Sequence, residues 1–351
     1  MRMSRYQASW QASRRVALLD PLRADSYFSE VFHSLQMPDA VYDSFSGYVP
    51  DRERIAFFDR EQAMAATRDL GLVASTIVRW GGQVATYEPL ESALLLLSQK
   101  TGEIPADTVE SYGPRNQAGA RTRTYTGTVG ERFFIHSFTA AMKELPDVCD
   151  LLELARETPL SSPQYAQSLI RAYEGFQAMV QAIVGVHALI TPEFFTTILR
   201  PYFEPKVVGG KSYYAPGGAQ MALTLVDLLV WGAEDDTPEY RHYWRENVEY
   251  LPQSVRDNLG TVVRGGSLLR SAERAMAKEC PNAHTQRSLE ALRRFIVGLE
   301  QFRYPHRKVA EANMAIRSPQ AVGSGGYTSS ILNLLLELTY VARVRVSSLL
   351  S

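Results

Sequence analysis

The chain has 351 residues, with 37 basic and 38 acidic side chains and a formal charge of −1. That length buries a large core, as one big domain or as a main domain with a smaller one. The even charge argues against a nucleic-acid or membrane-surface partner, since either needs a basic excess or a basic face. Two cysteines, Cys149 and Cys280, offer neither a disulfide framework nor metal-ligand spacing, and read as reduced thiols of a soluble cytoplasmic protein.

Met1 to Leu19 is mixed polar and basic, without an apolar stretch of signal-peptide length. Between about Glu103 and Gly130 the chain is polar, turn-rich and poor in core residues. It reads as the connection between a small N-terminal helical domain over residues 1–120 and a large helical domain over 121–351. In Phe133-Phe134-Ile135-His136-Ser137-Phe138, residues Phe134, Ser137 and Phe138 share a helical face that His136 does not. Ser162-Pro163 opens a long helix through Leu169, Phe176, Met179, Ile183 and Val184, and Thr191-Pro192-Glu193 opens another that ends near Arg200-Pro201. The stretch Lys206 to Tyr214 allows at most a short hairpin, and no series of strands appears.

Pro216-Gly217-Gly218-Ala219-Gln220 precedes an almost wholly apolar helix from Met221 to Trp231. Leu289, Leu292, Ile296, Leu299, Phe302, His306, Val309 and Asn313 then mark one face of a long helix. Gly323-Ser324-Gly325-Gly326-Tyr327 follows, and Ile331, Leu334, Leu338 and Val341 mark the last helix, whose apolar run is too short and too polar to span a bilayer. The fold class is all-α.

Familiar catalytic signatures are absent: there is no His-Glu-x-x-His, paired Cys-x-x-Cys or Gly-x-Ser-x-Gly, and Gly209-Gly210-Lys211-Ser212 lacks the spacing of a phosphate loop. What remains is His306 on an apolar face. An axial haem ligand must be neutral, oriented and shielded from bulk water. Pro305 removes a backbone hydrogen bond beside it, and Arg303, one turn earlier, presents a planar fork suited to a carboxylate such as a haem propionate. The plain alternative is a core histidine with no ligand. His187 is either a core histidine or a second iron ligand, whereas His33, His242 and His284 lie in polar surroundings and read as surface residues. The two glycine clusters permit close approach of backbone to a ligand, or simply connect helices.

Taken in order, Leu199-Arg200-Pro201-Tyr202-Phe203-Glu204-Pro205, Val208 to Tyr213, Trp231-Gly232, Arg303-Tyr304-Pro305-His306 and Gly323 to Tyr327 resemble the haem-dependent indoleamine/tryptophan dioxygenase superfamily and, within it, the monodechloroaminopyrrolnitrin synthases. The likeness runs from about Tyr125 to the C-terminus and is poor over the first hundred residues. It implies an indoleamine 2,3-dioxygenase-like helical bundle enclosing haem b, with the small domain roofing the pocket. His306 would bind the iron, Arg303 a propionate, and Gly217 and Gly218 would lie over the distal face. Phe133 and Ser137 would stand on the distal side of the haem, Phe195 would pack on an indole and Arg200 would hold the substrate carboxylate. Ser324 would sit in the loop that closes over the substrate. The family's acidic residue after the first glycine cluster is matched only by Asp227, one position out of register.

The resemblance implies a cytoplasmic oxidoreductase of antibiotic (pyrrolnitrin) biosynthesis that takes tryptophan or a chlorinated tryptophan and dioxygen or a reduced oxygen species, with an electron donor as further partner. The product would be an aminophenylpyrrole. Two other readings stand beside it: a haem dioxygenase or hydroxylase of another aromatic amino acid, and a haem-free helical binding protein.

Overall fold

A computed structural model describes residues 4–278, 281–317 and 322–351. Cys280 lies outside them, and Cys149 is a buried free thiol. In chain order the framing helices are α1 (Arg5–Ala17), α2 (Pro38–Phe45), α3 (Arg60–Arg79), α4 (Glu88–Thr101), α5 (Val129–Met142), α6 (Leu145–Glu157), α7 (Pro163–Leu189), α8 (Leu223–Val230), α9 (Pro238–Val248), α10 (Ala283–Arg317) and α11 (Ser329–Ser348). The described residues thus form an all-α bundle with one two-stranded hairpin. No single helix among them is long and apolar enough to cross a membrane.

Local chemistry sets the boundaries. The Ser162 side chain accepts a hydrogen bond from the Gln164 backbone, with Pro163 in the first turn of α7. Asp59 and Gln62 close a capping box at the start of α3. The hairpin pairs β1 (Lys206–Val208) with β2 (Lys211–Tyr213), Val207 facing Ser212. Its turn uses Gly209 and Gly210 at φ 58° and 75°, the left-handed pair that a tight two-residue turn requires.

The helix expected from Thr191 to Arg200 starts as predicted, Thr191 capping the Phe194 backbone. It then widens to a π-helix over Phe195–Leu199 and tightens to a 3-10 turn over Arg200–Tyr202. Pro201 has no N–H, and its ring crowds the carbonyl four residues back. The widened turn is the kind of irregularity that recurs at functional sites.

The segment from Glu103 to Gly130 departs from its sequence reading. Most of it is buried rather than a solvated connection. Most of its buried polar groups find partners in the protein: Asn116 bonds the carbonyls of Tyr112 and Arg123, Arg115 pairs with Glu103, and Arg123 pairs with Asp69, whereas Gln117 Oε1 has no hydrogen-bond partner among the described residues. A polar strap can be buried when nearly all its donors and acceptors find partners, and composition alone does not reveal partners.

Two large apolar cores result, beside two small clusters. In one, α7 packs along α6 and α10, around Phe176, Phe295 and Leu229. The other collects Phe45, Leu70 and Leu90 from the N-terminal helices together with Leu199, Phe203 and Val208. Tyr6 of α1 belongs to the first core, so each core draws on both sides of residue 120. Phe138 packs against both.

Candidate functional site

Where the two cores meet, a cavity of about 270 Å³ opens. Its walls come from α5, α7, the π-helical turn, the Pro216–Ala219 segment, α10 and the Gly323–Tyr327 loop, and they are predominantly apolar. Of the residues singled out in the sequence, His306, Arg303, Gly217, Gly218, Phe195, Arg200 and Ser324 all line it.

His306 occupies the middle of α10, immediately after Pro305. Its imidazole stacks on Phe302 at 5.4 Å with 17° between the planes. No hydrogen bond among the described residues joins its ring to the protein. On the facing wall is Gly218, where a Cβ would stand 3.6 Å from His306 Nε2. The ring is open to the cavity but screened from bulk water. Burial, and then the neighbouring Arg303, lower its pKa to about 4, so it is a neutral donor at ordinary pH.

A pH dependence follows. The unfolded chain protonates His306 near pH 6.5, while the fold holds it neutral. The folded state therefore binds fewer protons in this window, and its stability falls on acidification from about pH 6.5 to about 4, the contribution being complete above 6.5. In the protein without added cofactor, the urea midpoint should drop further between pH 7 and pH 5 than in His306→Ala. Equal drops would mean that the ring is solvated.

Arg303 is buried, and its terminal nitrogens already have protein partners. One contacts both carboxylate oxygens of Asp227 at 2.5 Å, and the other bonds the Thr339 hydroxyl. Its guanidinium also lies 5.7 Å from the Trp231 ring centroid. Asp227, the residue out of register in the sequence comparison, thereby locks α8 to α10 beside His306.

The Phe195–Leu199 turn places Phe195 and Arg200 on the opposite side. Thr196 donates to the Asn313 carbonyl of α10 at 3.2 Å. Arg200 is buried, bonding the Phe203 carbonyl at 2.7 Å, Glu204 at 3.0 Å and the Val322 carbonyl at 3.4 Å. The last bond ties it to the base of the glycine-rich loop. In that loop Gly326 takes φ +81° with the Tyr214 ring against its Cα, so a side chain there meets both strain and a clash. The Ser324 hydroxyl sits 3.2 Å from where a Cβ on Gly217 would be, bringing the two glycine clusters together. Tyr327, which sequence reasoning gave no role, anchors the loop: its hydroxyl donates to Glu246 at 2.6 Å and accepts from Asn247 at 3.0 Å.

Phe133 and Ser137 are placed differently from the expectation. Neither lines the cavity; Phe134 and Phe138 do. Ser137 donates back to the Phe133 carbonyl at 2.8 Å, and Phe133 points toward Gly185 of α7. One residue on a helix is a rotation of about 100°, so a one-residue slip exchanges the wall for its neighbour. The Phe134/Phe138 spacing was the available signal. His136 and His187 are exposed and do not line this cavity. His33, expected at the surface, is half-buried, with Nε2 on the Thr124 hydroxyl and carbonyl at 2.9 and 3.0 Å.

No cluster of three or more histidine, cysteine, aspartate or glutamate side chains among the described residues could hold a bare metal ion. A metal at His306 must therefore arrive inside a group that supplies its other ligands. A neutral imidazole facing an apolar cavity with a glycine wall fits a haem in that sense. A protein-family model described as monodechloroaminopyrrolnitrin synthase PrnB matches residues 55–348. This reaches well into the N-terminal helices, where the sequence likeness looked poor, and the chain belongs to that family of pyrrolnitrin-biosynthesis enzymes.

Proposed function

We propose that the chain is a cytoplasmic haem b-dependent oxidoreductase that converts tryptophan or a ring-chlorinated tryptophan to an aminophenylpyrrole, with rearrangement of the indole and loss of the carboxyl group. The observation that carries the reading is His306: a neutral ring with no hydrogen-bond partner among the described residues, lining an apolar cavity inside a PrnB-family fold.

In this reading His306 would hold the haem iron, with Phe302 fixing its plane and Pro305 its place in the helix. Arg303, held by Asp227, would supply the cation for a propionate, and Gly217 and Gly218 would let backbone lie close to the group. When bound, the haem supplies the activation of dioxygen or a reduced oxygen species, with electrons from an external donor. The protein's own contribution is positioning. Phe134, Phe138 and Phe195 form an aromatic wall against which an indole packs, with ring centroids 5.5 Å (Phe134 to Phe138) and 5.8 Å (Phe134 to Phe195) apart. Arg200 offers a charge-assisted anchor for the amino-acid carboxylate. Ser324 and the glycine loop close over the bound molecule and exclude water. An indole is electron-rich enough to react without a strong general base, which agrees with a cavity whose polar groups are few.

Absorption spectroscopy of the purified protein, expressed with a haem precursor, tests this. A Soret band that shifts on adding 7-chloro-L-tryptophan supports cofactor and substrate class together. A band that moves only with another aromatic amino acid keeps the cofactor and moves the substrate. A folded protein with no Soret band overturns the reading. Arg200→Leu should leave the resting spectrum intact and weaken amino-acid binding by roughly ten- to a hundred-fold, the equivalent of one hydrogen bond to a charged group. Unchanged affinity would put the carboxylate elsewhere.

A further inference from the structure

We propose that Tyr112, Tyr125 and Tyr202 form a redox relay that carries oxidising equivalents from the cavity to the protein surface. The inference rests on the haem reading above.

The three rings are stacked in sequence. Tyr112 lines the cavity. Its ring lies 5.1 Å from that of Tyr125 at 26°, and Tyr125 lies 5.0 Å from Tyr202 at 18°. Tyr112 and Tyr125 are buried, whereas Tyr202 is half-exposed. Beside Tyr202, the Arg79 guanidinium lies between its ring and that of Trp80, at 5.8 and 4.5 Å.

Each buried phenol also faces a carboxylate. Tyr112 donates to Glu131 Oε1 at 2.8 Å, and Tyr125 donates to Asp107 Oδ2. Glu131 accepts further hydrogen bonds from the backbones of Tyr125 and Thr126 and from the Thr126 hydroxyl, at 2.6 to 2.7 Å. Burial raises the pKa of the Glu131 carboxyl while these hydrogen bonds oppose the rise, which suits it to take up a phenolic proton and give it back. Asp107 is paired with Lys206 Nζ at 2.6 Å, a lysine with no exposed surface. Burial and the nearby carboxylates push both phenol pKa values well up, so neither ring reacts as a phenolate and its proton must leave together with an electron. The stack supplies the path for the electron and the carboxylates supply the place for the proton.

The steps balance. A one-electron oxidant in the cavity, of the class that hydrogen peroxide generates at ferric haem, takes one electron from Tyr112, whose phenolic proton passes to Glu131. The Tyr112 radical takes an electron from Tyr125, which gives its proton to Asp107 while Glu131 returns the first proton. Tyr202 then reduces Tyr125, Asp107 returns its proton, and Tyr202 releases one proton to solvent. The net change is one electron moved from Tyr202 to the oxidant and one proton lost to water. Such a path drains the site when oxidant forms without substrate.

The test uses the full haem-loaded chain. Its Soret band is recorded first, and hydrogen peroxide is then added without amino acid in the presence of a nitrone spin trap. Electron paramagnetic resonance reports tyrosyl radical, peptide mass spectrometry locates the adduct, and Soret decay reports damage. We expect a tyrosyl signal and an adduct on Tyr202 in the unaltered protein. Tyr125→Phe, which keeps the ring and removes one hydroxyl, should lose the Tyr202 adduct and bleach faster. Tyr202→Phe, altering only a half-exposed phenol, should also bleach faster while retaining tyrosyl signal, and decides the matter if Tyr125→Phe does not fold. An undiminished Tyr202 adduct in Tyr125→Phe, adducts confined to exposed tyrosines such as Tyr304 and Tyr340, or bleaching unchanged in Tyr202→Phe would each overturn the relay. Absence of a Soret band before peroxide overturns it differently, by removing the cofactor reading on which it stands.

Discussion

On the proposed haem reading, His306→Ala should abolish one-to-one haem binding and leave the helix content unchanged. The first half follows from the site's composition. His306 is the one histidine among the described residues that lines the cavity: His136, His187, His242 and His284 are exposed, and His33 is engaged with Thr124. The second half follows from what the ring does in the fold. It forms no hydrogen bond with a described residue, and its one aromatic contact is the stack on Phe302, worth about 1 kcal/mol. Alanine is also the best helix former, so α10 survives the exchange. A haem titration at the Soret band beside far-UV circular dichroism measures both. Added imidazole should restore a band in His306→Gly, where the missing ring leaves room for it. Unchanged stoichiometric binding by His306→Ala would return this histidine to the role of a core residue and remove the cofactor assignment.

Asp227→Ala carries the second large effect, on stability. Asp227 and Arg303 are both buried and separated by 76 residues in sequence. Removing the carboxylate leaves a guanidinium buried without its counter-charge, which costs about 3–5 kcal/mol. Replacing both members by apolar residues of similar size, as in Asp227→Leu with Arg303→Met, should recover most of that loss. Chemical denaturation of the single and double variants separates the two. A loss in Asp227→Ala below about 1 kcal/mol, the range of exposed pairs, would show that the pair is solvated. On the proposed haem reading, haem affinity should also fall in Asp227→Ala, because the pair joins α8 to α10 three residues from His306.

Much of the fold was legible in the chain because its signals are local. The cap at Ser162, the proline after Thr191 and the paired glycines of the hairpin act within four residues of themselves, and all three mark the boundaries expected of them. The apolar stripe through Phe302 and His306 is a period of 3.6 and needs no partner to be seen. It led directly to the residue on which the functional reading stands.

What stayed hidden was contact across the chain. Arg303 could be placed on the face of His306, but not against an aspartate 76 residues away. The choice between Phe133 and Phe134 turns on the rotation of α5 about its axis, which packing against α7 and the π-helical turn decides. The strap from Glu103 to Gly130 looked solvated because its polar side chains were visible and their partners were not. The tyrosine stack joins residues 112, 125 and 202 from three separate segments. By itself the sequence determined the all-α class, the helix starts at Ser162 and Thr191, the glycine loops and the apolar face on which His306 lies, since each depends on near neighbours and on the helical repeat. Only the tertiary structure decided which charges pair, which aromatics form the wall and which polar groups are buried. Those are differences in desolvation and contact that exist only once distant segments meet.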